Sequence, residues 1–159
     1  MSDLAQNKGM NKGVEAELGF AFFNEIGIIS QLSSALLSAT LPDGVHPPHF
    51  AIMNHLVRRG DGKTPIRIAG AMQVTKMTMT HSLKVLESRG FIRTGPNPED
   101  ARGKLVWLTD AGRAFREEAV ASVMTRFDHL LTDEVRAAMA RSHRDLVLIR
   151  KILDDNRAG

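Results

Sequence analysis

Lys76, Met77, Thr80, His81 and Lys84 recur at helical spacing, and Met79, Ser82, Leu83 and Leu86 recur on the opposite side of the same stretch. The second set can pack on a core. The first, with Thr78 at its edge, offers two cations, hydroxyls and an imidazole, and no acid follows until Glu87. Cations pair with phosphates, and short donors and acceptors can reach base edges in a DNA major groove. A polar helix face alone is commonplace, so this chemistry needs a second feature beside it.

Asn97-Pro98-Glu99-Asp100-Ala101-Arg102 supplies one. It sets an arginine near the tip of what reads as a hairpin, with an acid two residues before it. A projecting guanidinium suits the narrow, negative minor groove, and Asp100 can hold it by a bidentate pair. As a chance surface contact the same pair would contribute at most about 1 kcal/mol. Charge points the same way. Between Arg58 and Lys104 ten Lys/Arg face four Asp/Glu, a balance of +6, while the remaining residues sum to −3. Positive charge is gathered in the middle third, as a polyanion-binding region requires.

Other chemistries are poorly served. With no cysteine in 159 residues, disulfides, thiolate metal sites and thiol redox sensing are excluded. There is no glycine-rich phosphate loop and no G-x-S-x-G elbow, so no enzymatic activity is expected. Of the six histidines, His46 and His49 flank two prolines, while His129 and His143 lie on separate expected helices. None has the i, i+4 spacing with a nearby carboxylate that a helical zinc site favours, and no metal or cofactor is expected. No uninterrupted apolar run approaches the roughly 20 residues that span a bilayer. The polar N-terminus lacks a secretory apolar region. The expected setting is therefore cytoplasmic, away from membranes.

The elements that must position these residues follow from periodicity and punctuation. Residues 1–13 read as a flexible polar tail. A helix over 14–39 is apolar on more than one face and must be covered on several sides, which a partner subunit can do. Leu41 to His49 breaks it, and a second helix starts near Pro48 and stops at Gly60-Asp61-Gly62. Two short helices follow, over 67–73 and from Thr75, a suitable N-cap, to Arg89, with Gly90 as the residue after the cap. Phe91–Thr94 and Lys104–Leu108 read as strands around a long loop, 95–103. A long helix opens at Thr109-Asp110-Ala111-Gly112, and Thr132 and Asp133 cap a last one. The fold class is mainly α with a small β-hairpin wing.

Ile68-Ala69, Val74-Thr75, Thr78-Met79-Thr80, Leu83, Leu86-Glu87 and Arg89-Gly90-Phe91-Ile92 together resemble the helix-turn-helix of the MarR (multiple antibiotic resistance regulator) family. Asn97 to Arg102, followed by Val106-Trp107-Leu108-Thr109-Asp110-Ala111-Gly112-Arg113, resembles its wing signature, D-P-x-D-x-R and then L-T-x-x-G. The match is dense over about 48–115. The resemblance implies a winged helix-turn-helix lobe at 48–108, flanked by dimerisation helices at 14–47 and 109–159. It implies a homodimeric, ligand-responsive repressor on a pseudo-palindromic operator in double-stranded DNA. The expected DNA contacts are Thr75, Lys76, Met77, Thr78, Thr80, His81, Lys84, Arg93, Asp100, Arg102 and Lys104. A small aromatic or anionic effector would meet Phe23, Gly27, Ser30, His46, His49 and Met53. Two positions depart from the family pattern: Asn97 stands where its wing begins with Asp, and His81 where it commonly has Arg. Asn97 can still form an Asx turn into Pro98. Two alternatives stay open, a winged-helix protein–protein adaptor and a metal-responsive regulator of the same fold.

Overall fold

The structure is a computed structural model that describes residues 2–156, with side chains at 13–100 and 103–156. Its elements are α1 (Ser2–Ser38), α2 (Pro47–Arg59), α3 (Pro65–Met72), α4 (Lys76–Ser88), β1 (Ile92–Asn97), β2 (Asp100–Leu108), α5 (Asp110–Phe127) and α6 (Asp133–Asp155). The chain divides into two compact units between Ala119 and Val120, inside α5.

In the first unit α1 begins well before the expected Val14, so the expected tail is largely helix. Gly9 and Gly13 each cost a helix about 1 kcal/mol, but no proline interrupts the chain before Pro42. Leu18, Phe20, Phe23, Ile29 and Leu32 of α1 are exposed. Gly13–Ser38 is also long and apolar enough to cross a membrane by length and composition, with a mean hydropathy of 1.3. The expectation drawn from uninterrupted runs did not register this average. Single polar residues such as Asn24, Glu25 and Gln31 break the run without lowering the average far.

The rest of this unit is built around one core. Ile52, Met53 and Leu56 of α2 meet Ile68 and Ala69 of α3 and Met79, Leu83 and Leu86 of α4. Ile92, Val106 and Leu108 close the core from the hairpin, with Phe91 and Phe115 packed against it. α4 starts where its sequence says it should, and α3 starts two residues earlier than expected. The Thr64 side chain accepts from Arg67 N–H ahead of Pro65, and Thr75 accepts from Thr78 N–H at 3.1 Å. Between α3 and α4 the chain turns through Gln73 in a left-handed conformation (φ 53°), a shape that asparagine and glycine take more easily. After α4, Gly90 at φ 71° sends its N–H to Glu87 C=O (2.9 Å) and lets Phe91 N–H reach Leu86 C=O (3.0 Å).

The hairpin is longer than its expected strands. β1 runs to Asn97 and β2 starts at Asp100, leaving Pro98 and Glu99 as the turn rather than a nine-residue loop. The ladder pairs Ile92 with Leu108, Arg93 with Trp107 and Pro96 with Lys104, then shifts so that Asn97 faces Asp100. Pro96 cannot donate to a ladder, and an irregular pair is where a strand tolerates it. Asn97 Oδ1 accepts from Glu99 N–H at 3.1 Å, the Asx turn that Asp would also make. Lys63 bridges to Val106 as a one-residue third strand.

This unit continues past Leu108 to Ala119 because the first turns of α5 are fastened to it. Phe115 stacks on Phe91 (4.3 Å between ring centroids), and Arg116 donates from Nε and Nη2 to Asn54 Oδ1 at 3.3 and 2.9 Å. Arg113 pairs with Asp61 at 2.7 Å.

The second unit holds the end of α5, a 3-10 turn (Asp128–Leu130) and α6. Thr132 caps α6 by accepting from Val135 N–H, and Arg136 ties back to Asp128 at 2.9 Å. Val135, Met139, Leu146 and Leu153 form a stripe on α6, and all are exposed.

Candidate nucleic-acid interface

The candidate surface is made by α4. Met79, Ser82, Leu83 and Leu86 are buried, so the helix has a fixed rotation about its axis. Thr75, Lys76, Met77, Thr80, His81 and Lys84 are thereby turned outward, and they line an open hollow of about 640 Å³. The expected face is therefore brought together as a single surface, and Thr78 lies exposed at its edge.

Several of its hydroxyls have local duties. Thr75 Oγ1 caps the helix and lies 2.9 Å from Thr78 Oγ1, while Thr80 Oγ1 donates to Lys76 C=O at 2.8 Å. Glu87, the one acid of α4, is taken up too. Its Oε1 accepts from Thr94 N–H (3.1 Å) and Thr94 Oγ1 (2.7 Å), which joins the last turn of α4 to β1. Sequence reasoning missed this tie, since nothing in the spacing of Glu87 and Thr94 announces it. Arg89 was missed as well: it donates to Asp43 C=O and so pins the loop before α2 to the end of α4.

The wing residues are less uniform. Thr94 faces α4, so the pleat turns Arg93 to the other face, where its guanidinium lies 4.4 Å from the Trp107 ring centroid. Arg93 is thus held by Trp107 and not placed beside α4. Lys104 is exposed. The side chains of Asp100 and Asn97 crowd Gly103, coming within 3.1 and 3.2 Å of where its Cβ would stand. Arg102 belongs to β2 by its backbone, and its side chain lies outside the described residues.

The six expected effector contacts do not share one environment. Phe23, Gly27 and Ser30 are exposed on α1, and His46 is exposed before α2. Met53 is fully buried in the core, where its duty is packing. His49 is buried as well, and its Nδ1 accepts from His46 N–H at 3.0 Å, satisfying a free donor at the start of α2. Burial, and after it the positive charge of His46, His81 and Arg89, holds the His49 pKa below the usual histidine value. Among the described residues no three His, Asp or Glu side chains group as a metal site.

Comparison with known proteins agrees with this geometry. A family model described as MarR family matches residues 43–103, which take in α2 to the start of β2. A transcriptional regulator, HosA of Escherichia coli O127:H6, is 25% identical over 134 residues, covering 83% of this chain and 94% of the relative. The reduced form of MarR from E. coli superposes with a TM-score of 0.67 at 26% identity, over 77% of this chain and 93% of that one. A mutant of that same E. coli protein, complexed with operator DNA, gives a TM-score of 0.59 at 24% identity, over 79% and 93% of the two chains.

Proposed function

We propose, on the premise that residues 43–103 make this chain a MarR-family transcription regulator, that it is a homodimeric repressor of a pseudo-palindromic operator. In this reading α4 enters the major groove and the turn at Asn97–Asp100 carries Arg102 toward the minor groove. The observation that carries it is the acid-free, outward face of Lys76, Met77, Thr80, His81 and Lys84 on a helix whose other face is locked in the core. Lys76 and Lys84 meet phosphates, and Thr78 and His81 offer hydrogen bonds to base edges. A protein of the same fold has been solved with operator DNA, which fits this reading.

A second copy of the chain would cover the exposed apolar residues of α1 and the apolar stripe of α6. Glu25 stands at the middle of Gly13–Ser38, and an acid at the centre of a membrane helix costs on the order of 3 kcal/mol. That favours a protein partner over a bilayer, and with it a cytoplasmic, non-enzymatic regulator without a cofactor. Phe23, Gly27, Ser30 and His46 remain the residues a small aromatic or anionic effector would meet. A protein–protein adaptor would gain nothing from cations and an absence of acids on α4.

Titrating the protein against its own upstream DNA at several salt concentrations tests the reading. Affinity falls steeply with salt, because phosphate contacts release counterions; a flat dependence refutes it. Lys84→Ala lowers the salt slope by about one. Arg102→Ala weakens binding by about 1 kcal/mol or more, and an unchanged affinity would remove Arg102 from the interface.

A further inference from the structure

Met77 is the most exposed large apolar side chain in the described chain, at 82%. It is the second residue of α4, in the turn from which a recognition helix reaches base edges. A lone exposed methionine is ordinary on a protein surface. This one stands among Lys76, Thr80, His81 and Lys84 around one hollow, with no acid beside it. Thr75 caps the helix and lies against Thr78, and Thr80 donates to Lys76 C=O. Met77 is the exposed apolar side chain at the start of α4, beside the cation of Lys76 and the hydroxyl of Thr78.

The major groove presents one apolar feature among its base edges, the C5 methyl of thymine. A flexible, polarisable thioether is well suited to cover it. We propose that Met77 is a specificity-determining residue that selects thymine at one symmetric pair of operator positions by burying its methyl group. This rests on α4 entering the major groove as proposed above.

The test begins by selecting duplexes from a randomised double-stranded pool with the wild-type dimer. Bound sequences share thymine at a symmetric pair of positions. Deoxyuridine at those positions, which lacks only the methyl, weakens binding about fourfold for each methyl removed, the contribution of one buried methylene-sized group. Cytosine there is also poor, and 5-methylcytosine recovers part of the loss. Met77→Ala binds thymine and uracil duplexes equally while keeping the wild-type salt dependence, and Met77→Leu, which retains an apolar tip, keeps the preference. Wild type that binds the selected duplex in a salt-dependent way, yet ignores uracil at every thymine, overturns the Met77 assignment and leaves the proposed function standing. So does a uracil penalty that persists in Met77→Ala. Wild type that binds no duplex from the pool overturns both.

Discussion

Gly112 sits where α5 docks on the lobe, and a side chain there has nowhere to go. A Cβ at this position would stand 2.0 Å from Phe91 O and 3.1 Å from Leu108 Cδ1. Gly112→Ala must push α5 off Phe91 by more than 1 Å, since carbon and oxygen in contact need about 3.3 Å or more. Overpacking of that kind costs about 1–3 kcal/mol. The same movement strains the bonds that seat the helix, Thr109 N–H to Phe91 C=O (3.0 Å) and Thr109 Oγ1 to Gly90 C=O (2.6 Å), for about 1 kcal/mol more. Alanine returns about 1 kcal/mol through its better helix propensity. The net expectation is a loss of about 1–3 kcal/mol, or about 6 °C in Tm for a chain of this length. Trp107 is the only tryptophan and there is no tyrosine, so intrinsic fluorescence follows urea unfolding of the hairpin itself. Protein concentration must be held fixed, because the stability of the proposed dimer would depend on it. Gly70→Ala is the matched control: its Cβ meets open space on α3, and the substitution gains about 0.5–1 kcal/mol. A Gly112→Ala protein as stable as wild type, with an unchanged urea slope, would refute the packing argument.

Three further outcomes are expected. Because His49 is held below its ordinary pKa, its contribution to stability is complete above about pH 6.5 and is lost as pH falls through the lowered value. His49→Asn keeps an acceptor near Nδ1 and should flatten the fall in urea midpoint between pH 7.5 and 5.5; a variant that loses stability as wild type does would show His49 is not responsible. His55 contributes in the same sense, held down by burial and then by Arg59, Lys63 and Arg58, so some pH dependence remains. Asn54→Ala leaves Arg116 without its acceptor across α2 and α5 and costs about 1.5 kcal/mol by chemical denaturation. Thr75→Ala removes the cap of α4 and costs about 1 kcal/mol, whereas Thr75→Ser, which keeps the acceptor, is close to wild type in both stability and DNA affinity.

Much of the lobe was legible because its signals are local. Thr75 and Thr132 cap the helices that follow them, and Gly90 ends α4, since each acts on backbone groups within a few residues; the cap at Thr64 went unread, and α3 starts two residues before its expected Arg67. The two faces of α4 were readable from a period of 3.6 and needed no knowledge of what lay opposite. The hairpin was found, but its strands were drawn too short. Gly95 and Pro96 look like strand breakers, yet Gly95 admits the Trp107 ring at 3.0 Å from its would-be Cβ, and Pro96 sits where the register shifts. The helical start of α1 went unread because polar residues without a breaker are equally compatible with a tail.

Residue types, caps and charge were enough to say that α4 and the turn at Asn97 could face DNA. Tertiary structure decided which neighbours each group answers to. It turned Arg93 onto Trp107, spent Glu87 on Thr94, buried Met53 in the core and set His49 against the start of α2. It also gave Gly112 its reason, a carbonyl from Phe91 about twenty residues earlier in the chain. Periodicity reports which side of an element is apolar, because that depends on residues three or four apart. Pairings between elements depend on how the chain returns to itself, and only the packed fold determines those.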